Sequence, residues 1–301
     1  MRIGIDLGGT KIEGIVLDDA GIEHARLRVP TPGHTYEETV AGVASVVREL
    51  ETRLGVRCRV GVGHPGAISP ATGLIKNANS TRLNGHPLDR DLKRALGREE
   101  VRLSNDANCF AVSEAADGAA AGCRIVFGVI LGTGVGGCIV VDGQPLIGAQ
   151  AISGEWGHNA LPLPRDDERP GPHCYCGRYG CVESWLSGPA FQAQFTNRTG
   201  RSLRPTEIAA AAKTGDAEAA SAMEIYCDRL ARSLANVVNL VDPHAIVLGG
   251  GLSAIAQFYA RVPELWKRYV FSEPESIATR LLPPKHGDSS GVRGAAWLWP
   301  A

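Results

Sequence analysis

The sequence predicts an α/β protein built from two related halves. Short apolar runs at 3–7 and 12–17 alternate with turns at 8–11 and 18–21 that are rich in glycine or aspartate, which predicts strand, loop, strand and turn. The same layout returns at 126–143, and such self-similarity indicates two copies of one supersecondary unit. Between the copies, apolar residues at helical spacing predict an amphipathic helix over 35–54.

The remaining segments predict further strands and helices. Short strands are expected at 23–29, ending at Pro30, and at 59–63, 101–103 and 245–248. Helices are expected from Asn105-Asp106 to about Asp117, between 187 and 240, after 249–251, and within 289–299. No linker or low-complexity tract interrupts this order.

Composition narrows the classes of partner. The 301 residues carry a formal net charge of -1, so nothing in the charge favours a nucleic acid or an anionic membrane. The first residues do not have the pattern of a secretory signal, and we expect a cytoplasmic protein. Residues 125–141 lack charges, but five glycines interrupt them, which favours a buried strand, loop and strand over a membrane span.

The eight cysteines fall into two sets. Five are scattered, mostly among apolar or small neighbours, and are interpreted as buried free thiols: Cys58, Cys109, Cys123, Cys138 and Cys227. Cys174, Cys176 and Cys181 lie close together in a segment rich in proline and glycine, with His158 upstream. Three thiolates and an imidazole suffice for a closed, structural zinc site that orders this loop; the alternative is three thiols clustered by coincidence.

Three glycine-rich loops follow predicted apolar strands, at 8–11, 132–137 and 249–251. Glycine lets backbone N–H groups come close to an anion, so the three loops together predict phosphate contacts, although one alone would more often be a tight turn. The middle loop matches G-x-G-x-x-G, but a strand follows it where a dinucleotide site needs a helix. The protein-kinase His-Arg-Asp and Asp-Phe-Gly motifs and the P-loop motif are absent from the sequence.

Asp106 is the best candidate for acid–base chemistry. It lies at a predicted strand-to-helix junction, where functional side chains concentrate, but Asn and Asp are also favoured helix N-caps, and capping is the alternative. Glu155 and Glu183 flank the metal segment. A zinc ion that folds the loop would bring both near one place; ordinary solvated carboxylates are the alternative.

Six motifs resemble the ROK family of sugar kinases and repressors, in family order along nearly the whole chain. They are IGIDLGGTK at 3–11, NDANC at 105–109, LGTGVGG at 131–137, GEWGH at 154–158, CYCGRYGCVE at 174–183 and VLGGG at 247–251. The resemblance implies the actin-like ATPase fold of hexokinase and Hsp70, with two α/β domains around a central cleft. The implied domains are 1–117 with 289–301, which carry the first phosphate loop and the catalytic Asp, and 118–288, which carry the zinc loop and the nucleotide-binding glycines.

The resemblance also implies roles for individual residues. Asp106 matches the catalytic base, and Asp6 is expected near Mg²⁺. The loops expected to hold ATP contain Gly8, Gly9, Thr10, Lys11, Gly132, Thr133, Gly134, Gly249, Gly250 and Gly251. The residues expected to contact the sugar are Gly66, Asn79, Asn105, Asp106, Glu155, His158 and Glu183. The implied zinc ligands are His158, Cys174, Cys176 and Cys181, so one ring nitrogen of His158 binds zinc and the other is available to a sugar hydroxyl. His64 departs from the family, which usually has an apolar residue there.

Within the family, KNANST-LNG at 76–85 most resembles bacterial fructokinases that also accept mannose. We therefore expect ATP-dependent phosphorylation of fructose on its 6-hydroxyl, by a homodimer. N-acetylglucosamine kinase, glucokinase and mannokinase are the alternatives. A sugar-responsive repressor is disfavoured because the first phosphate loop begins at Gly8, so we expect no N-terminal helix-turn-helix. A zinc module for nucleic acid is disfavoured by the near-neutral charge.

Overall fold

The computed structural model describes residues 1–33 and 35–300. Contacts divide the chain into two compact units: the first contains Met1–Gly122, Cys138–Ser153 and Lys285–Ala301, and the second contains Cys123–Gly137 and Gly154–Pro284. The domain limits implied by the sequence, 1–117 with 289–301 and 118–288, remain a prediction, and Ala301 lies outside the described residues.

The first unit is an α/β layer in which the predicted elements occur in the predicted order, with two short strands and one helix between 67 and 96 that were not predicted. The elements are β1 (Arg2–Leu7), β2 (Lys11–Leu17), β3 (Glu23–Pro30), α1 (Tyr36–Leu54), β4 (Arg59–His64), β5 (Ala67–Ile68), β6 (Ile75–Lys76), α2 (Leu88–Leu96), β7 (Arg102–Asn105) and α3 (Asp106–Ala116). The sheet order is β3-β2-β1-β4-β7. Strands β1 to β3 are antiparallel neighbours, whereas β1, β4 and β7 run parallel.

Helix α1 shows how local sequence fixes this unit. The Thr35 side chain accepts the N–H of Glu38, whose carboxylate accepts the N–H of Thr35, so a capping box starts the helix. Gly55, with a φ of 65°, ends it in the left-handed conformation that glycine adopts without strain. A Cβ at Gly14 of β2 would lie 2.8 Å from Leu50 Cδ1, so α1 packs directly on the sheet.

The second five-stranded sheet repeats the topology of the first. The following elements are β8 (Ile125–Leu131), β9 (Val135–Val141), β10 (Gln144–Pro145), α4 (Val182–Leu186), α5 (Gly188–Thr199), α6 (Pro205–Lys213), α7 (Ala217–Val241), β11 (Ala245–Gly249), α8 (Gln257–Trp266) and β12 (Arg280–Leu282). The sheet order is β10-β9-β8-β11-β12, which again reads third, second, first, fourth and fifth strand. The internal repeat predicted from the sequence is thereby confirmed.

The last helix, α9 (Ser290–Trp297), packs on the first sheet. Glycines allow the close approach: a Cβ at Gly4 of β1 would overlap the carbonyl oxygen of Val292, and one at Gly61 of β4 would overlap that of Ala295. Gly294 comes equally close to the carbonyl oxygen of Cys109 on α3. The sheet, α3 and α9 therefore pack closely together within the first unit.

The scattered cysteines largely match their interpretation as buried thiols. Cys58, Cys109, Cys138 and Cys227 are buried. Cys123 is the exception, since it is only half-buried and lies 3.1 Å from Arg280 Nη2. Among the described residues, no helix is both long enough and apolar enough to cross a membrane.

Candidate active site and metal centre

The carboxyl ends of three parallel strands bring together polar residues of the first unit. Asp6 lies near the end of β1, His64 ends β4 and Asn105 ends β7. The register pairs Asp6 with Gly63 and His64 with Asn105, so these positions share one sheet edge. Ligand sites of parallel α/β sheets form at this kind of edge.

The capping question at Asp106 is decided by its neighbour. Asn105 is the N-cap of α3: its Oδ1 accepts the N–H of Ala107 at 2.9 Å, and its Nδ2 donates to the carbonyl oxygen of Gly66 at 3.0 Å. Asp106 is the first helical residue and accepts the same Ala107 N–H at 2.8 Å; its side chain is accessible to solvent, although protein atoms surround it on most sides. Because Asn105 already caps the helix, capping does not require the Asp106 carboxylate.

Asp6 and Asp106 influence each other electrostatically. Desolvation, followed by the negative charge of Asp106, raises the pKa of Asp6 from 3.8 to about 6, although Lys11 opposes the shift. Desolvation also raises the pKa of Asp106, against the hydrogen bonds from Ala107 and Asn105. Two carboxyl groups whose charged forms are disfavoured suit a hard cation, whose charge would offset both effects.

The first glycine loop forms a tight turn between β1 and β2. The N–H of Gly8 donates to the carbonyl oxygen of Lys11 at 2.9 Å, and Thr31 holds the turn from the side by donating to Gly8 and Thr10. The ammonium group of Lys11 lies 3.4 Å from Glu13 and is 41% exposed, so it can be redirected toward an anion.

Gly66 connects the sheet edge to the segment that carries Asn79. Gly66 has a φ of 75°, and a Cβ there would lie 2.7 Å from the backbone nitrogen of Ala78, so only glycine fits. Asn84 donates to and accepts from the backbone of Ala78, which fixes this segment. The Oδ1 of Asn79 accepts the N–H of Ser80 at 2.7 Å. The structure thus brings Gly66 and Asn105 together, and it places Asn79 one residue beyond Ala78.

His64, the departure from the family pattern, is buried at the same edge. Its Nδ1 lies 3.0 Å from the carbonyl oxygen of Pro65. Burial lowers the pKa of His64, so the ring is neutral near physiological pH. His64 therefore adds a polar but uncharged group beside Asn105.

In the second unit, two of the glycine loops meet. The 132–134 turn follows β8, and its Gly132 N–H donates to the carbonyl oxygen of Gly134 at 3.0 Å. Strand β11 is parallel to β8, and the loop after it begins with Gly250, where a Cβ would lie 2.7 Å from the carbonyl carbon of Leu131. The loops that contain Gly132–Gly134 and Gly249–Gly251 therefore lie at one edge of this sheet. As predicted, a strand and not a helix follows the G-x-G-x-x-G match.

The four predicted zinc ligands lie together. Their ligand atoms all fall within 4.8 Å of one another, with 3.6 Å from Cys176 Sγ to Cys181 Sγ and from Cys174 Sγ to His158 Nδ1. Tetrahedral zinc with Zn–S bonds of about 2.3 Å separates its sulfur ligands by about 3.8 Å. The donor set and spacing therefore fit a closed zinc site held by His158, Cys174, Cys176 and Cys181.

Short-range turns place these ligands. The N–H of Gly177 donates to the carbonyl oxygen of Cys174, and the N–H of Cys174 donates to that of Arg178, which folds the first two thiols into a tight turn. Gly177 has a φ of 88°. Cys181 then occupies the N-cap position of α4. A turn thus positions two of the thiols, and the start of a helix positions the third.

A buried network of ion pairs connects the segment between His158 and Cys174 to α7. Glu168 is 4% exposed, and Arg232 donates to its two carboxylate oxygens at 2.8 and 2.9 Å, while Arg229 Nε donates at 2.7 Å. Burial alone would raise the pKa of Glu168, but hydrogen bonds and charge from these guanidinium groups lower it to about 2. Charge therefore anchors the segment between His158 and Cys174 to α7.

The predicted sugar ligands of this unit have different surroundings. The Nε2 of His158, which was expected to be available to a sugar hydroxyl, lies 3.0 Å from the hydroxyl group of Tyr175. Glu155 is exposed and precedes the 3-10 helix Trp156–His158. Glu183 Oε2 accepts the N–H of Val135 at 2.8 Å. Sequence reasoning missed the Tyr175 and Val135 contacts, because no spacing pattern predicts a partner so far along the chain.

The fold and these clusters define a protein of the actin-like ATPase class, as predicted. The crystal structure of a ROK hexokinase from Thermus thermophilus matches with a TM-score of 0.86 and 32% identity, covering 98% of this chain and 96% of that chain. A ROK family glucokinase from Streptomyces griseus, solved with glucose and AMPPNP, matches with a TM-score of 0.76 and 27% identity, covering 99% and 98%.

Sequence comparison identifies the family. The sequence model of the ROK family matches residues 2–301, so the chain belongs to the ROK family. It is 40% identical over 302 residues to the N-acetyl-D-glucosamine kinase of Salmonella gallinarum (strain 287/91 / NCTC 13346), an alignment that covers 99% of each chain.

Proposed function

We propose that this protein is an ATP-dependent hexose kinase that transfers the γ-phosphoryl group of ATP to the 6-hydroxyl of the sugar. The observation that carries the proposal is the state of Asp106: Asn105 caps α3, and the neighbouring Asp106 is accessible to solvent and close enough for its charge to act on Asp6. Similarity to a hexokinase, a glucokinase and an N-acetyl-D-glucosamine kinase supports the same reaction class.

In this proposal Asp106 is the general base. A sugar hydroxyl is a weak nucleophile, and a carboxylate within hydrogen-bond reach can take its proton as the bond to phosphorus forms. The raised pKa of Asp106 makes it a stronger base than an ordinary aspartate. Asn105, Asn79 and the backbone of Gly66 supply polar partners for other hydroxyls, which a buried polyol needs.

The nucleotide is assigned to the glycine loops. In the second unit, backbone amides of the 132–134 and 249–251 turns would hold phosphates; in the first unit, the 8–11 turn would do so, with a positive charge from Lys11. Asp6 would hold Mg²⁺, which when bound supplies charge neutralisation at the transferred group. Zinc on His158 and the three cysteines is structural, because the four protein ligands leave no open position.

Two acceptor sugars are supported by different observations. The 76–85 segment, which the Ala78–Asn84 hydrogen bonds hold beside Gly66, carries the fructokinase-like sequence and favours fructose. The name of the 40% identical Salmonella relative favours N-acetyl-D-glucosamine and gives fructose no support. Fructose, predicted from the sequence, therefore stands here beside N-acetylglucosamine as a second candidate.

A comparative assay tests the proposal. We would measure kcat/KM for fructose, N-acetylglucosamine, mannose and glucose with ATP and Mg²⁺ under identical conditions, with Asp106→Asn as the inactive control. The kcat/KM for the preferred sugar should exceed that for each competitor by roughly ten- to a hundredfold for each mismatched hydroxyl or added group. A higher value for N-acetylglucosamine would reject fructose and keep the kinase. Sugar binding without phosphoryl transfer to any hexose would reject the kinase and favour a sugar-responsive regulator.

Two further expectations from the sequence complete the proposal. We expect a homodimer, which light scattering coupled to size-exclusion chromatography would measure directly. We also expect a cytoplasmic protein, which cell fractionation would test.

A further inference from the structure

The turn after β8 is held from one side by the segment that ends at His158. We define the glycine loop as residues 132–135. The indole N–H of Trp156 donates to the carbonyl oxygen of Gly136 at 2.8 Å, just beyond this loop. A Cβ at Gly157 would overlap the carbonyl oxygen of Val135, so the 3-10 helix lies in direct contact with the loop backbone. The metal ligand His158 is the next residue of that helix.

The other side of the glycine loop is held by α4. Near the start of α4, Glu183 Oε2 accepts the N–H of Val135 at 2.8 Å, and a Cβ at Gly134 would lie 2.6 Å from that same oxygen. Just after α4, the N–H of Gly188 donates to the carbonyl oxygen of Gly132 at 2.8 Å. Hydrogen bonds therefore join one end of the glycine loop to Glu183 in α4 and the other end to Gly188, just after α4.

The metal centre connects the two elements that hold the loop, the 3-10 helix Trp156–His158 and α4. His158 belongs to the first and Cys181, the N-cap of α4, belongs to the second. The chain also connects them directly, through the pairing of Ala160 with Cys181 and the hydrogen bond from the Val182 N–H to the carbonyl oxygen of Asn159 at 2.8 Å. Hydrogen bonds from Gln194 and Tyr226 to the carbonyl oxygens of Trp185 and Leu186 hold the C-terminal end of α4, and a metal bound to Cys181 would fix where the helix begins.

We infer that the metal centre sets the conformation of the glycine loop through α4, and that Glu183 is the positioning residue that transmits it. This role is additional to the sugar contact that the sequence implied for Glu183, because only the Oε2 oxygen is bonded to the loop backbone. The carboxylate acts as a hydrogen-bond acceptor for Val135 and aligns the turn whose amides take a nucleotide phosphate, a ligand that rests on the proposed function. Loss of the metal would therefore loosen the nucleotide side of the site.

Hydrogen exchange of the loop tests this inference without any substrate. We would follow the Val135 amide, or the shortest peptide over 132–137, in zinc-loaded protein, in protein stripped by a chelator with its zinc content measured, and in zinc-loaded Glu183→Ala. A hydrogen bond to a charged acceptor contributes enough that its loss should speed exchange by at least about tenfold. Glu183→Gln keeps an acceptor oxygen at the same reach and should stay within about threefold of wild type.

A second matched pair tests the other end of the loop. Gly188→Pro removes the N–H that donates to Gly132 and places a ring carbon against that oxygen, whereas Gly188→Ala keeps the N–H and adds only a Cβ. Faster loop exchange in the Pro variant than in the Ala variant is expected. Unchanged exchange of α7 peptides would show that each variant is folded.

Direct binding measurements separate this inference from the proposed function. Titration with ADP and Mg²⁺ should show nucleotide affinity falling about tenfold in Glu183→Ala and in the stripped protein. Loop exchange that is unchanged by zinc removal or by Glu183→Ala would overturn the inference, as would a variant that loses only sugar affinity. Wild-type protein that binds no nucleotide would reject the proposed function, while the exchange result would still decide whether metal and loop are linked.

Discussion

Asp6 should make the protein less stable at neutral than at mildly acidic pH. Its pKa is raised from 3.8 to about 6 because the carboxyl group is desolvated and lies near Asp106. Between these two values the folded protein keeps a proton that the unfolded chain has lost, so the free energy of unfolding falls as the pH rises. A shift of about two pKa units corresponds to about 3 kcal/mol at pH values above both. Asp6→Asn cannot ionise and should recover that stability.

Urea unfolding followed by tryptophan fluorescence would measure the effect. Of the total, about 1.4 kcal/mol should appear between about pH 5 and about pH 8, as a growing advantage of Asp6→Asn over wild type. Glu99→Gln, at an exposed carboxylate of the same unit, is the control and should keep the pH dependence of wild type. In an Asp106→Asn background the advantage should shrink, because the neighbouring charge is gone. An advantage that is equal at both pH values would refute the reasoning.

Three further predictions concern the base, the metal and the buried ion network. Asp106→Asn should lower kcat by roughly 10²–10⁴-fold while circular dichroism shows an intact fold, because Asn105 remains the helix cap; activity within a few-fold of wild type would exclude Asp106 as the base. Metal analysis of freshly purified protein should find one zinc per chain, and Cys181→Ser should lose it; zinc-free protein with an ordered metal segment would contradict this. Glu168, whose pKa is about 2, should contribute stability above about pH 4.5 that is lost as the pH falls toward 2, so Glu168→Gln should cost about 3 kcal/mol at neutral pH and progressively less in acid. A cost that does not change with pH would point to packing as its cause.

Local signals let the sequence predict the elements that frame the site. The predicted helix over 35–54 is α1, Tyr36–Leu54 with Thr35 as its cap, because the capping box and the helical spacing agree. The predicted strand at 101–103 is instead Arg102–Asn105, since the register with β4 extends pairing to Asn105. Strand limits depend on the neighbouring strand, and the sequence of one strand does not contain that information.

Contacts between distant segments could not be predicted in the same way. The bond from Val135 to Glu183 and the Glu168 network each join segments at least 48 residues apart. The cysteine spacing predicted the metal ligands, because their chemistry is unusual enough to be read without a partner. A glutamate has no such signature, so Glu183 could be assigned to the region but not to the loop backbone.

The order in which the ribosome makes the chain gives the packing of α9 a further consequence. The sheet surface that Gly4 and Gly61 keep free of side chains is covered by a helix that is synthesised only after the whole second unit. Until then, β1 and β4 present bare backbone and apolar neighbours without their cover. The first unit therefore cannot complete its packing until α9 has been made, although its synthesis begins first.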